Sequence, residues 1–214
     1  MTKPTWYAKK TWSTSDREDF LTRLRTVVGD HEQASALRKQ AAHLLQQCAK
    51  SPPAEADQLF AGARELYELF IDQFPTSAQR AYVFSALGDI LERTSEYDAA
   101  LARWREALAA QRHTPRTTTA HLRFGMLAVR LGRAALYEEV TALLAEFGNV
   151  LIYPTDQYQQ CGIKAHLHMH IGKRDLAVLC ARDAIAATKH IAVDIDAPFH
   201  QLLLELTKPT VITR

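Results

Sequence analysis

Apolar residues recur along almost the whole of this chain at intervals of three and four, and seldom in strict alternation. That spacing is the pattern of helices that each lay one stripe against a core, and it leaves no segment that requires a strand. Phe20, Leu21, Leu24, Val27 and Val28 make the first stripe, on a helix expected from Ser15 to Val28 with Ser15 and Glu18 as its capping box. Gly29 stops it, and Asp30, with Gln33 three residues on, caps a second helix through Leu37, Ala41, Leu44, Leu45 and Cys48. Ser51-Pro52-Pro53 breaks the chain, because proline lacks the amide proton and clashes with the preceding turn. A third helix is expected from about Glu55 to Gln73, with Phe74-Pro75 ending it and Thr76 or Ser77 capping the fourth. Later breaks fall at Arg93-Thr94-Ser95, His113 to Pro115, Leu131-Gly132-Arg133, Gly148 to Thr155, Ile171-Gly172-Lys173 and Val193 to Pro198, so the reading is an all-α chain of about ten helices.

The breaks are spaced regularly. From Ala81 to Pro115, Leu87-Gly88 is followed by a turn at Thr94 to Tyr97, then by Ala100, Trp104, Ala107 and Leu108, with Pro115 closing the segment. Ala63, Tyr67, Phe70, Ile71 and Pro75 repeat the second half of that pattern. Phe124-Gly125, Gly132 and Leu144 repeat it with Tyr137 in the alanine position, and Gly172, Ala177, Ala181, Ala184 and Ile185 repeat it again. From Ala63 to Ala100, Tyr137 and Ala177 the steps are 37, 37 and 40 residues.

This combination of small and large residues resembles a tetratricopeptide repeat, whose period is about 34 residues. The resemblance covers about Gln33 to Lys189 and implies a right-handed superhelix of antiparallel helix pairs. It implies that Gly88, Ala100 and Ala107 sit where paired helices come closest, while Phe84, Leu87, Tyr97 and Trp104 fill the space between neighbouring pairs. On this reading residues 1–214 form one domain. Residues 1–30 are an N-terminal segment and capping helix, 31–189 about four repeats, and 190–214 a C-terminal cap and tail. The chain is also similar to a group of bacterial repeat proteins that open with a segment like Trp6-Tyr7-Ala8-Lys9-Lys10-Thr11-Trp12.

With 26 lysines and arginines against 24 aspartates and glutamates, the net charge of +2 supplies no field strong enough to gather phosphate, which argues against nucleic acid as a partner. The start of the chain has no apolar signal region, and no run approaches the roughly 20 apolar residues of a membrane helix, so a cytoplasmic protein with no membrane contact is expected. The 3 cysteines, Cys48, Cys161 and Cys180, leave one over after any pairing and are read as reduced thiols in helix interfaces.

Each cluster that suggests chemistry has a plainer structural reading. His166 and His170, four apart in His166-Leu167-His168-Met169-His170, could share one helix face and hold zinc, with His190, His200 or Asp196 as a third ligand. Leu167, however, stands where a metalloprotease has its glutamate base. The plainer reading places His166 and His170 in a groove, with His168 packed or hydrated elsewhere. Trp6 and Trp12 among lysines, with an arginine ridge of Arg103, Arg105, Arg112, Arg116 and Arg123, could bind single-stranded nucleic acid, or could simply cover the first helices and a solvated face. Gly172-Lys173-Arg174-Asp175 is a helix-ending turn rather than a phosphate loop. Asp194 and Asp196 lack the alternating oxygens of a calcium loop, and Asp196 is expected to cap a helix starting near Pro198. No catalytic residue, metal or cofactor is expected.

The resemblance also implies where a partner would bind, because the first helix of each pair lines the concave groove. Transferring the central repeat position by position puts Tyr82, Ser85, Asp89, Glu92 and Arg93 on that surface. The next copies add Leu122, Met126, Val129 and Arg130, then His166, Met169 and His170. The expected function is a non-enzymatic module that binds a protein or peptide, as a bacterial regulator or immunity-type inhibitor. The rivals are a metal-dependent enzyme centred on His166 and His170, and a nucleic-acid-binding repeat protein.

Overall fold

The computed structural model describes residues 6–114, 117–149, 153–191 and 197–208. The expectations placed on Pro115, Arg116, Asp194 and Asp196, and on the side chain of His190, lie outside them. Among the described residues there are ten α-helices and no strand. The chain divides into two compact units, one ending at Thr118 and the other beginning at Thr119.

The first unit holds α1 (Thr14–Thr26), α2 (Asp30–Cys48), α3 (Pro53–Gln73), α4 (Arg80–Arg93) and α5 (Tyr97–Gln111). Helix α1 starts earlier than its sequence suggests. Its capping box is Ser13 with Asp16: the Asp16 amide donates to Ser13 Oγ at 3.2 Å and the Ser13 amide to Asp16 Oδ2 at 3.1 Å. Asp16 prevails over the Ser15–Glu18 pair because Thr11 and Lys9 also reach it, at 2.8 and 3.3 Å. The Ser13 hydroxyl first, then Thr11, the Ser13 amide and Lys9, hold its carboxyl down at about 2. Helices α2 and α3 pack as one hairpin and α4 and α5 as another, with α3 against α4.

The buried stripes are those that the spacing predicts, for instance Leu37, Ala41 and Leu44 on α2 and Ala100, Trp104 and Ala107 on α5. Trp104 differs in its role. Rather than separating hairpins, it lies inside its own, over Gly88: a Cβ there would stand 2.3 Å from Trp104 Nε1, and Nε1 donates to the Ser85 carbonyl at 3.3 Å. An indole fits between paired helices only where the facing residue has no side chain, and Gly88 supplies that space.

The second unit holds α6 (Ala120–Arg130), a short 3-10 turn at Ala134–Leu136, α7 (Tyr137–Phe147), α8 (Pro154–His170), α9 (Arg174–Ala187) and α10 (Ala197–Thr207). Helix α6 pairs with α7 and α8 with α9, while α10 packs on α9. Alanines 177, 181, 184 and 187 make the buried stripe of α9, and a stripe that small lets α8 approach along the full length of the pair.

The backbone itself carries the repeat. Helices α4, α6 and α8 each end in a turn with one left-handed residue: Ser95 (φ 63°), Gly132 (φ 62°) and Gly172 (φ 74°). In each turn the following amide reaches back five residues, from Glu96 to Leu91, Arg133 to Ala128 and Lys173 to His168, at 2.8, 2.9 and 2.9 Å. These residues stand 37 and 40 apart in the chain, the same steps as the side-chain pattern. The α2–α3 connection at Ser51-Pro52 is of a different kind.

Candidate functional site

An open cavity of the second unit lies between α7 and α8, and α6 explains why. Gly125 of α6 is a crossing point, where an added Cβ would meet Ile163 Cδ1 of α8 at 2.9 Å and Val140 Cγ1 of α7 at 3.2 Å. Both neighbours therefore seat against α6, and α8 touches α7 only sparsely. What remains between them is a cleft of about 660 Å³.

Two cross-links bound the cleft. At one end Gln160, buried on α8, donates from Nε2 to the Gly148 carbonyl at the C-terminus of α7 at 2.7 Å, while its Oε1 accepts from Lys164 Nζ at 3.3 Å. This holds an ammonium group near the negative end of α7, where a cation is favoured. At the other end the Tyr137 ring of α7 meets the His170 ring of α8 edge to face, with centroids 4.9 Å apart at 89°, and Glu138 lies beside it in the cleft wall. Between these ends the lining is mainly apolar, with Leu144, Ala145, Leu167 and Ile171. Thr141 also lines it, with its hydroxyl already donated to the Tyr137 carbonyl at 2.8 Å. Ile171 is 59% exposed. His168, expected to pack away from any groove, lines the same space, and its Nδ1 is shielded from solvent without a hydrogen-bond partner among the described residues.

The cleft contains one of the twelve residues expected from sequence, His170. Met169 is exposed on the same helix, and His166 is turned elsewhere: its ring lies 5.4 Å from that of Phe199 on α10, and burial lowers its pKa. The two histidines are thus engaged by different helices, and among the described residues no three metal-ligating side chains come together. Ser85, Leu122 and Val129 are buried and present no surface to a partner. Met126, Asp89 and Glu92 are half-buried, and Arg130 is exposed. Tyr82 is exposed beneath Arg38, whose guanidinium lies 5.1 Å from its ring centre and whose Nε donates to Gln79 at 2.6 Å. Arg93 lies over Phe60 of α3 at 4.4 Å, on the wall of a smaller cleft of about 380 Å³.

The remaining candidates take structural roles. Trp12 is buried against Phe20 and over Gly62, and Trp6 lies 5.2 Å from Phe20, so these rings form part of the core of the first unit and offer no stacking platform. Lys9, beside them, is paired with Asp16 and Asp19, and Arg103 with Glu106. Burial raises the thiols of Cys48, Cys161 and Cys180, which keeps them protonated and poorly nucleophilic. Among the described residues no helix is long and apolar enough to cross a membrane.

Sequence reasoning missed Leu144, Lys164, Leu167 and Ile171. The signal was an exception to the repeat: Ala63, Ala100 and Ala177 are fully buried, whereas Tyr137 at the equivalent position is half-buried and forms one end of the cleft. No model of a known protein family matches the chain, and no curated protein matches it either.

Proposed function

We propose that the chain is a tetratricopeptide-like repeat protein, coiled as a right-handed superhelix, that binds another protein or a peptide without catalysing a reaction. The recurring left-handed turns, spaced like the side-chain pattern, support the repeat reading. The observation that carries the binding reading is the α7/α8 cleft, an open, mainly apolar depression bounded at both ends by side-chain contacts that fix its shape. Apolar recesses rimmed by a few polar groups are where protein surfaces take up the anchoring side chains of partners. Exposed first-helix residues of the second unit, Arg130, Met169 and His170, are assigned to the wider contact surface around the cleft, and Tyr82 and Arg93 to a contact surface of the first unit. A regulator or an immunity-type inhibitor in the bacterial cytoplasm fits the resemblance at the level of fold.

The test is photo-crosslinking in the native cell. A photoreactive residue at Ile171 is expected to capture a discrete protein, and one at Leu179, which is 56% exposed on α9 outside the cleft, is expected to capture none. Equal capture from both positions, or capture only from Leu179, would remove the cleft from the proposal. No capture from either would remove protein binding by this unit.

A further inference from the structure

We infer that the occupant of the α7/α8 cleft is an amphipathic helix of about three turns, presented by a partner protein and running from Lys164 at its N-terminal end to Glu138 at its C-terminal end. This rests on the protein-binding reading and adds the conformation, length and direction of what binds.

Conformation follows from the walls. Both are helices whose backbone groups are bonded within themselves, so the cleft offers no sheet edge. An extended peptide laid here would turn its amides and carbonyls toward Leu144, Leu167 and Ile171 without partners, and unpaired polar groups held against apolar surface are costly. A helix satisfies its own backbone and brings only side chains. Length follows from α7, whose 11 residues rise about 16 Å, or three turns. A stripe at i, i+3 or i+4, i+7 and i+11 spans that distance on one face.

Direction follows from charge. Neither Glu138 nor Lys164 enters an ion pair among the described residues, and they stand at opposite ends of the cleft. Lys164 leans on the neutral amide of Gln160. A helix with acidic side chains in its first turn and basic ones in its last complements both cleft charges when its N-terminus lies at Lys164. The same arrangement suits its own macrodipole. The orientation that sets acidic first-turn side chains on Lys164 and basic last-turn side chains on Glu138 runs the bound helix antiparallel to α7, so that its positive N-terminus also lies beside the negative end of α7.

The experiment is selection of displayed random peptides of about 15 residues on the whole chain, with counter-selection on Ile171→Glu. Ile171 lines the cleft yet is exposed, so the substitution blocks without removing core. Surviving binders are expected to show apolar residues at helical spacing and acidic residues toward the N-terminus, and to gain helicity on binding. Lys164→Glu should weaken a selected peptide at least tenfold, and replacing the peptide's N-terminal acidic residues by lysine should restore the loss. Binders without helical period, binders whose affinity ignores both substitutions, or no binder sensitive to Ile171→Glu would overturn the inference. So would self-association of the free chain that Ile171→Glu abolishes, since a second copy would then fill the cleft. If crosslinking from Ile171 succeeds while peptide selection fails, protein binding stands and the helical occupant falls. If both fail, the underlying reading falls with it.

Discussion

Gly88 and Trp104 form a lock whose removal should change sign with context. Trp104 is completely buried, and truncating it to alanine leaves a cavity the size of an indole between α4 and α5, a loss of about 3 to 5 kcal/mol. Gly88→Ala brings two opposed effects. Alanine favours a helix interior over glycine by about 1 kcal/mol. The new methyl would lie 2.3 Å from Trp104 Nε1 and 2.5 Å from its Cδ1, and overpacking of that kind costs about 1 to 3 kcal/mol. Overpacking wins while the indole is present, giving a net destabilisation of about 1 kcal/mol. In a Trp104→Ala background the obstacle is gone, and the same substitution should stabilise by about 1 kcal/mol, a coupling of about 2 kcal/mol. Urea denaturation followed by tryptophan fluorescence reads the right region, because all 3 tryptophans, Trp6, Trp12 and Trp104, belong to the first unit and two remain in the variant. If Gly88→Ala stabilises both backgrounds alike, Trp104 does not rest on Gly88 and the account of the α4–α5 hairpin is wrong.

Two further outcomes test other parts of the chain. Ser95 holds a left-handed conformation that glycine occupies in the two equivalent turns, so Ser95→Gly should raise stability by about 1 kcal/mol in the same urea experiment, and a loss would show that the turns are not equivalent. His166 is half-buried and desolvation lowers its pKa, so its neutral form suits the folded state. Its stability contribution is full above the unfolded value near 6.5 and fades as pH falls below it, and His166→Phe should flatten that part of the pH dependence while keeping the ring contact with Phe199. An NMR titration midpoint for His166 at or above 6.5 would contradict this.

The helices were legible because their cause is local. Spacing of three and four among apolar residues, proline at Pro52 and Pro53, and glycine at Gly132 and Gly172 act within a few residues of themselves, and they placed the breaks that the structure contains. The three equivalent turns were legible for the same reason. Even locally there was competition: Ser13 and Asp16 cap α1 in place of Ser15 and Glu18, because Lys9 and Thr11, distant by several residues, add their bonds to Asp16.

The site was not legible, because it is set by distances between helices. Nothing along the sequence near Lys164 says that Gly125 on another helix draws both Ile163 and Val140 inward and so leaves α7 and α8 apart. Four-residue spacing put His166 and His170 on one face, but only packing could assign one ring to Phe199 and the other to Tyr137. Leu122 and Val129 looked like surface because their positions were carried over by analogy, whereas burial is a property of every neighbour at once. Sequence alone thus determined which segments are helical and, to within a few residues, where they break, through forces that act within a turn or two. Tertiary structure decided which faces remain open, because the gap between two helices depends on the side chains of the third.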